Sequence, residues 1–231
     1  MLAPPDVIEV NFCNFSMLDD NCSQMARLEP GGWLRYWQRP FPQWDRQALF
    51  EELTQQLDWA EREIVMFGRR VKQPRLVAFH GEPGVEYAYS GQTLKAQAWG
   101  RALAELRSDI EQLCQARFNS VLCNLYRDGQ DSMGWHADDE ASLGPRPLIA
   151  SVSLGGTRRF AFKSRQTGER RDIELTDDSL LLMGGDLQRH WLHQLPKTRR
   201  PVGPRINLTF RQVIAENQGA LSSSDSSNGR A

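Results

Sequence analysis

The feature that most constrains this chain is a change in the spacing of its hydrophobic residues at about Phe118. Between Trp99 and Leu113 the apolar residues recur at steps of four and three, which predicts one amphipathic helix. From Phe118 to about Val213, short runs alternate apolar and polar residues between turn signals, as strands do. Short strands that follow helices predict an α+β fold: a β-sandwich or jelly roll supported by helices on one outer face.

Two terminal segments differ in composition from this middle part. Residues 1–44 contain five prolines and the Gly31-Gly32 pair and are predicted to form an irregular N-terminal arm. Residues 45–214 are predicted to form the one folded domain, with Asp45 as the N-cap of its first helix. Residues 215–231 are rich in serine and poor in apolar residues, which predicts a disordered tail.

Composition excludes several classes of protein. The chain has 28 basic and 29 acidic residues and a net charge of -1, so contact with a polyanion has to come from local basic clusters. Its four cysteines show no C-x-x-C spacing, which argues against a zinc site or a disulfide framework. No signal-peptide pattern or membrane-spanning apolar run is present. We therefore expect a soluble, cytoplasmic, reduced protein, and a monomer.

A candidate metal site begins with His136 and Asp138. Two residues apart in an extended segment, they point to the same side, but such pairs often occur by chance. His193 adds a third candidate, on a later predicted strand of a chain that has four histidines. Two histidines and one carboxylate form the facial triad that leaves open positions on iron(II), although zinc with these ligands remains chemically possible.

His190 competes with His193 for the third position. Alternation along a strand would put these two histidines on opposite faces, so that both cannot bind the same ion. We prefer His193 because a strand with a cationic face follows it.

Residues 205–211 predict that amphipathic strand. Its apolar face holds Ile206, Leu208 and Phe210, and its polar face holds Arg205, Asn207, Thr209 and Arg211. A solvated polar face is the simplest interpretation. Two arginines beyond a metal ligand also suit a dicarboxylate cosubstrate, because guanidinium groups bind carboxylates bidentately. Asn124 and Tyr126, on one face of another predicted strand, can add neutral hydrogen bonds to the same anion.

These segments together resemble one known family. Asn124-Leu-Tyr126, His136-Ala-Asp138, His193 and Arg205-Ile-Asn207-Leu-Thr-Phe-Arg211 resemble the AlkB family of iron(II)/2-oxoglutarate-dependent dioxygenases, which repair alkylated nucleic acid. The resemblance runs from about Val65 to Val213 and implies a double-stranded β-helix (jelly roll) core.

The resemblance also implies the roles of the site residues. His136, Asp138 and His193 are implied to be the catalytic iron(II) ligands, with 2-oxoglutarate and O₂ as cosubstrates. Asn124 and Tyr126 are implied to hold 2-oxoglutarate, with Asn207 nearby. Arg205 is implied to pair with the carboxylate that also binds the metal, and Arg211 with the distal carboxylate.

The implied activity is oxidative dealkylation of N-alkylated DNA bases of the 1-methyladenine and 3-methylcytosine type. It would be coupled to decarboxylation of 2-oxoglutarate to succinate, with release of formaldehyde. Two alternatives stay open: a related dioxygenase that acts on RNA or protein, and a catalytically silent module that binds nucleic acid.

Two segments resemble the parts of the family that contact the target base. Residues 86–91 resemble an aromatic lid formed by Tyr87, Tyr89 and Ser90, although a buried core is the alternative for the tyrosines. Tyr89 departs from the phenylalanine that is usual in the duplex-acting branch. Glu140 resembles the acidic residue that faces a cationic alkylated base, with a solvated turn as the alternative.

A third segment concerns the nucleic acid itself. Phe67, beside Gly68, Arg69 and Arg70, resembles the finger with which the duplex-acting branch wedges into a base stack. Lys72 and Arg75 would extend this segment into a basic patch for phosphates, and Lys197, Arg199 and Arg200 would form a second patch. An ordinary solvated surface is the alternative. The expected partner is alkylated DNA, duplex or single-stranded.

Overall fold

The computed structural model describes residues 8–9, 23–66, 69–89 and 92–214. These residues form strands, helices and one 3-10 turn at Ala141–Leu143. The helices are α1 Arg46–Gln56, α2 Arg101–Cys114 and α3 Leu187–His190. The strands are β1 Ile8–Glu9, β2 Ser23–Leu28, β3 Gly32–Gln38, β4 Ala60–Met66, β5 Arg69–Gly81, β6 Glu86–Tyr89, β7 Gln92–Lys95, β8 Ser120–Tyr126, β9 Met133–His136, β10 Ile149–Gly155, β11 Arg158–Ser164, β12 Arg170–Leu175, β13 Ser179–Gly185, β14 Trp191–Leu195 and β15 Arg205–Arg211.

The two longer helices form where the sequence predicts them. The Asp45 carboxylate caps α1 by accepting hydrogen bonds of 3.0 Å from the backbone N–H groups of Gln47 and Ala48. In α2 the buried residues include Leu103, Leu106 and Ile110, which are three members of the predicted apolar stripe. The predicted N-cap and the amphipathic helix are confirmed.

Most of the described strands belong to two facing sheets. The large sheet has the order β2-β3-β13-β10-β15-β8-β5-β4, and the small sheet has the order β1-β12-β11-β14-β9. Strands β6 and β7 form a separate hairpin. One hydrophobic cluster lies between the large sheet and the two longer helices, and a second cluster lies between the sheets. The predicted jelly-roll core with helices on one outer face is confirmed.

The prediction of an irregular arm is wrong for residues 23–38. Strands β2 and β3 form a hairpin at one edge of the large sheet, and Leu34 and Trp37 are almost completely buried there. The proline and the glycines of residues 29–32 mark the tight turn of this hairpin, where Gly31 has a φ of +69°. Here proline and glycine mark one tight turn between two strands and not an irregular segment. The predicted tail, residues 215–231, lies outside the described part of the chain.

None of the helices in the described part of the chain has the length and apolar content that a bilayer crossing requires.

Candidate metal centre and cosubstrate pocket

The small sheet brings two histidines side by side. His136 ends β9 and His193 lies in β14, and they are direct cross-strand partners in this antiparallel pair. Their ring centroids are 4.2 Å apart. Cross-strand pairing on one face of a sheet is what makes this close approach possible.

The third predicted ligand completes the cluster. Asp138 follows β9 by two residues, and its Oδ2 lies 3.9 Å from Nε2 of His193. One donor atom from each of His136, Asp138 and His193 lies within 4.8 Å of the other two. His190 ends the short helix α3 instead of lying on β14, so the alternation argument against it does not apply, although the choice of His193 agrees with the cluster.

Hydrogen bonding and burial prepare the histidines for a metal. Nδ1 of His136 lies 2.8 Å from the carbonyl oxygen of Gly134, which can only accept a hydrogen bond, so Nε2 keeps the lone pair. Burial lowers the pKa of His136. Burial and the neighbouring His136 lower the pKa of His193 to about 3. Both rings are therefore neutral at pH 7, as ligands must be.

Asp138 is held as a carboxylate. Burial alone would raise its pKa, but Arg211 and the two histidines lower it to about 2. Its Oδ1 accepts a hydrogen bond of 2.8 Å from Nη2 of Arg211, and its backbone N–H donates to Oε1 of Gln188 at 3.0 Å. Oδ2 is left for a metal. Two neutral imidazoles and one ionised carboxylate fit a divalent cation of the facial-triad type.

The large sheet supplies the other wall of the same pocket. The five predicted cosubstrate residues line it together with the three ligand candidates: Asn124, Tyr126, Arg205, Asn207 and Arg211. All four polar residues of β15 are buried, between 1% and 8% exposed. The predicted common face is therefore confirmed, and the alternative of a solvated face is wrong.

Arg205 is a buried cation with donors to spare. Its Nη2 donates to Oγ of Ser153 at 2.9 Å, and its guanidinium carbon lies 5.3 Å from the centre of the Tyr126 ring. In the described part of the chain, Nε and Nη1 have no acceptor. Burial lowers the pKa of Arg205 to about 10. Unsatisfied buried donors on a desolvated cation fit an anion such as a carboxylate.

The predicted roles of the two arginines need a correction. Arg211 donates to the ligand candidate Asp138, so it lies at the metal end of the pocket. Arg205 lies six residues away along the same strand, about 20 Å between Cα atoms, beside Tyr126. The alternation of side chains along β15 predicts that both arginines share one face of the strand. It does not predict which end of the strand lies near the metal. Arg205, with its unpaired donors, is therefore better placed than Arg211 for a carboxylate far from the metal.

Asn207 has a supporting position. Its Nδ2 donates to Oγ of Ser151 at 2.8 Å and to the carbonyl oxygen of Val152 at 3.0 Å. Its Oδ1 accepts a hydrogen bond of 3.0 Å from Oγ1 of Thr209. Both amide hydrogens are thus donated within the protein, and Asn207 connects β15 to β10 beside the pocket.

The base-contact candidates lie in different surroundings. Tyr87 is fully buried, with its ring 5.8 Å from that of Phe79 and 5.3 Å from the guanidinium carbon of Arg211. It therefore supports Arg211 from within the core. Glu140 is partly buried, and burial together with the nearby Asp138 carboxylate raises its pKa. The side chain of Tyr89, and Ser90, lie outside the described part of the chain.

The residues on either side of the predicted finger belong to two paired strands. β4 pairs with β5 as far as Met66 and Arg69, whereas β8 pairs with β5 only from Leu76 onward, so the hairpin extends beyond the sheet. Phe67 and Gly68, and the side chain of Arg69, lie outside the described residues.

The basic residues near this hairpin divide into two groups. Arg70 and Lys72 are exposed, but they form ion pairs with Glu63 and Glu61. These carboxylates offset the positive charge of the surface. Arg75 is only 4% exposed and contacts Asn124, so its assignment to a surface patch is wrong. The alternation of β5 turns this residue inward. Lys197, Arg199 and Arg200 are exposed, as the second patch requires.

Arg158 was missed in the sequence. It is 2% exposed and donates to the backbone carbonyls of Asp128, Asp131 and Pro196, at 3.1, 2.9 and 2.7 Å. Its guanidinium thereby holds two loops beside Tyr126. The alternation of side chains along β11 could have predicted its burial, because Arg158 shares a face with Phe160 and the buried Phe162.

Comparison with known proteins gives consistent matches. The sequence model described as "2OG-Fe(II) oxygenase superfamily" matches residues 33–211. Alpha-ketoglutarate-dependent dioxygenase alkB homolog 3 of Homo sapiens is 40% identical over 182 residues, which cover 74% of this chain and 63% of that protein. DNA oxidative demethylase ALKBH2 of Mus musculus is 38% identical over 177 residues, which cover 72% of this chain and 74% of that protein.

The fold also has a relative among solved structures. The structure of OsALKBH1 superposes with a TM-score of 0.59 at 17% sequence identity, over 80% of this chain and 100% of the other. At this identity the likeness concerns the fold alone. The chain spans about 63% of the length of the human alkB homolog 3 that it matches.

Proposed function

The chain belongs to the AlkB family within the 2OG-Fe(II) oxygenase superfamily, and we propose that it is an iron(II)/2-oxoglutarate-dependent dioxygenase that dealkylates DNA bases. One observation carries this proposal. His136, Asp138 and His193 meet in a pocket whose opposite wall presents a buried arginine with unpaired donors. A metal ligand set beside an anion site is the minimum that a 2-oxo acid oxygenase needs.

Different residues of the pocket hold different parts of the cosubstrate and of the metal site. Arg205 receives the distal carboxylate of 2-oxoglutarate through its unpaired Nε–H and Nη1–H groups, and the Tyr126 ring packs beside it. Arg211 holds Asp138 in the orientation that leaves Oδ2 for iron. Asn124 contributes a neutral polar contact from β8.

Bound iron(II) would supply, with 2-oxoglutarate and O₂, the oxidation of the N-alkyl carbon that lets formaldehyde leave. The protein keeps the ligands deprotonated and buries most of the residues that line the pocket. Burial of Asp138, His193 and Arg205 strengthens each electrostatic contact there.

DNA is the substrate that the observations favour. A relative that matches over 74% of its length is named a DNA oxidative demethylase. Burial and the nearby Asp138 carboxylate raise the pKa of Glu140, and a cationic alkylated base beside Glu140 would favour its ionised form. Tyr87, Tyr89 and Ser90 belong to the proposed base-binding segment, in which the buried Tyr87 supports Arg211.

We assign a duplex preference to the hairpin formed by β4 and β5. It extends beyond the sheet, and in the sequence Phe67 directly follows Met66, the last residue of β4. An aromatic residue between the two strands of a protruding hairpin suits entry into a base stack. Arg69 and Arg70 begin β5, and the exposed Lys197, Arg199 and Arg200 offer phosphate contacts elsewhere. The protein acts as a monomer in this proposal.

Formaldehyde release tests the proposal. The purified protein is loaded anaerobically with iron(II) and 2-oxoglutarate, then exposed to air with oligonucleotides that contain 1-methyladenine. We expect formaldehyde and succinate in equal amounts from DNA, and much less from RNA of the same sequence.

The Asp138→Ala variant provides the matched control and should release no formaldehyde. Turnover of RNA alone would replace the DNA assignment with the RNA one. An oligonucleotide that is bound with or without iron, and never demethylated, would contradict the enzymatic proposal.

A further inference from the structure

We propose that Arg75 is a positioning residue that fixes the amide of Asn124 with its nitrogen towards the cosubstrate pocket. The inference deepens the proposed function, because it rests on that pocket receiving 2-oxoglutarate. No other residue of the described chain makes a hydrogen bond to the Asn124 side chain.

Arg75 lies behind Asn124 as seen from the pocket. Its Nε donates to Oδ1 of Asn124 at 2.8 Å, and its Nη1 donates to the carbonyl oxygen of Ser132 at 3.3 Å. Arg75 is 4% exposed and Asn124 is 2% exposed. Asn124 lines the pocket, and Arg75 is not among the lining residues. The arginine therefore acts on the pocket through the asparagine.

The chemistry of the contact decides the orientation of the amide. A guanidinium has five N–H donors and no acceptor, so only the oxygen of an amide can face it. The NH₂ group of Asn124 must then point to the other side, where the cosubstrate would lie. An NH₂ group donates to an anion, whereas the reversed amide would present a carbonyl oxygen to a carboxylate and repel it.

The backbone around Arg75 holds this arrangement in place. The carbonyl oxygen of Pro74 accepts a hydrogen bond of 2.9 Å from the backbone N–H of Ser132. Ser132 immediately precedes β9, which carries His136, and Asn124 lies in β8, the sheet neighbour of β5. One buried side chain thus joins the hairpin strand, the cosubstrate wall and the segment that leads to a metal ligand.

A double-mutant cycle tests the inference. Wild type, Arg75→Met, Asn124→Ala and the double variant are loaded with Mn(II), which occupies the site without turnover. Their affinity for 2-oxoglutarate is measured by calorimetry, and their folding by thermal unfolding. Arg101→Met, an exposed arginine on α2, is the matched control and should bind 2-oxoglutarate as wild type does.

We expect Arg75→Met to weaken 2-oxoglutarate binding about tenfold, as the loss of one well-placed hydrogen bond does. In the Asn124→Ala background the same change should have almost no further effect, because its target is gone. In turnover assays the KM for 2-oxoglutarate should rise while the KM for DNA stays constant. Unchanged affinity of Arg75→Met, or two losses that simply add, would overturn the inference.

If Arg75→Met does not fold, a second pair of variants tests the same inference. Arg75→Lys keeps a side chain that only donates and should retain most of the affinity. Arg75→Gln presents a carbonyl oxygen as well, permits the reversed Asn124 amide and should lose affinity. Equal affinities for these two variants would equally overturn the inference.

The binding assay separates this inference from the proposed activity. Wild-type protein that binds 2-oxoglutarate but demethylates no oligonucleotide would remove the DNA assignment and leave the role of Arg75 measurable. Wild-type protein that does not bind 2-oxoglutarate would overturn both.

Discussion

Nη2 of Arg211 lies 2.8 Å from Oδ1 of Asp138, so the last residue of β15 secures the carboxylate of the metal centre. Both side chains are almost fully buried, and burial makes the pair mutually dependent, because either charge alone would be left without compensation. Arg205, at the start of the same strand, has unpaired donors and in our proposal binds the far end of the cosubstrate.

Replacing each of the two arginines is therefore expected to impair a different binding step. Arg205→Met should weaken binding of 2-oxoglutarate by roughly 10- to 150-fold and remove the preference over 2-oxobutyrate, which lacks the distal carboxylate. Metal binding should be unaffected. Calorimetry with Mn(II) and then with each 2-oxo acid measures both effects.

Arg211→Met should instead weaken Mn(II) binding, because Asp138 loses its hydrogen-bond donor. If Arg211→Met removed the preference for the dicarboxylate while Arg205→Met kept it, the assignment of the two ends of the pocket would be reversed.

The hairpin assignment predicts a change that depends on the strandedness of the substrate. Phe67→Ala should reduce demethylation of a duplex about tenfold or more and should leave the single-stranded substrate nearly unaffected, because only the duplex needs a wedge. Initial rates on the same 1-methyladenine strand, alone and annealed, measure this. An equal loss on both forms would discard the finger.

The sequence predicted the parts of the site that depend on strand alternation. The period of two put Arg205 and Arg211 on one face, and β15 has that arrangement. Two histidines and an aspartate were recognised as one ligand set because few chemistries use that combination. The two histidines and the aspartate meet because β9 and β14 are neighbours in the small sheet.

The remaining features depend on long-range packing that local patterns do not encode. Alternation along β5 puts Arg75 on the same face as Val77, but only the pairing of β5 with β8 places that face beside Asn124. The hairpin of residues 23–38 was hidden because prolines and glycines mark tight turns as well as irregular segments. Likewise, His190 looked like a strand residue because nothing nearby marks the four-residue helix α3.

The helical layer is expected to contribute strongly to stability. Leu106 is 1% exposed on the face of α2 that packs against the large sheet, so Leu106→Ala should lower the free energy of unfolding by about 2 to 5 kcal/mol. The neighbouring Glu105→Ala should cost about 1 kcal/mol or less, since it removes only an exposed pair with Arg101. Urea unfolding compares the two variants. Similar losses would contradict the proposed packing.

The buried carboxyl group of Asp178 is expected to make the free energy of unfolding depend on pH. Burial and the Asp177 carboxylate raise the pKa of Asp178 above its ordinary value of 3.8. The folded state therefore holds the proton more tightly, and stability is lost as pH rises past that value. Asp178→Asn removes the buried charge, and asparagine also tolerates the positive φ of 55°.

The Asp178→Asn variant should unfold at a higher temperature than wild type at pH 7, and this advantage should shrink as the pH falls towards about 4, the ordinary pKa of the carboxyl group. Thermal unfolding at several pH values measures this difference. A variant that is less stable at pH 7, or an advantage that is independent of pH, would contradict the assignment.

Metal binding by histidine variants tests the central claim most directly. Under anaerobic conditions, wild type and His190→Ala should each bind one iron(II) per chain, because His190 lies on α3 outside the ligand cluster. His193→Ala should fold but lose most of its iron affinity, since one of three protein ligands is missing. If His193→Ala bound iron as tightly as wild type, the assignment of His193 to the metal centre would be wrong.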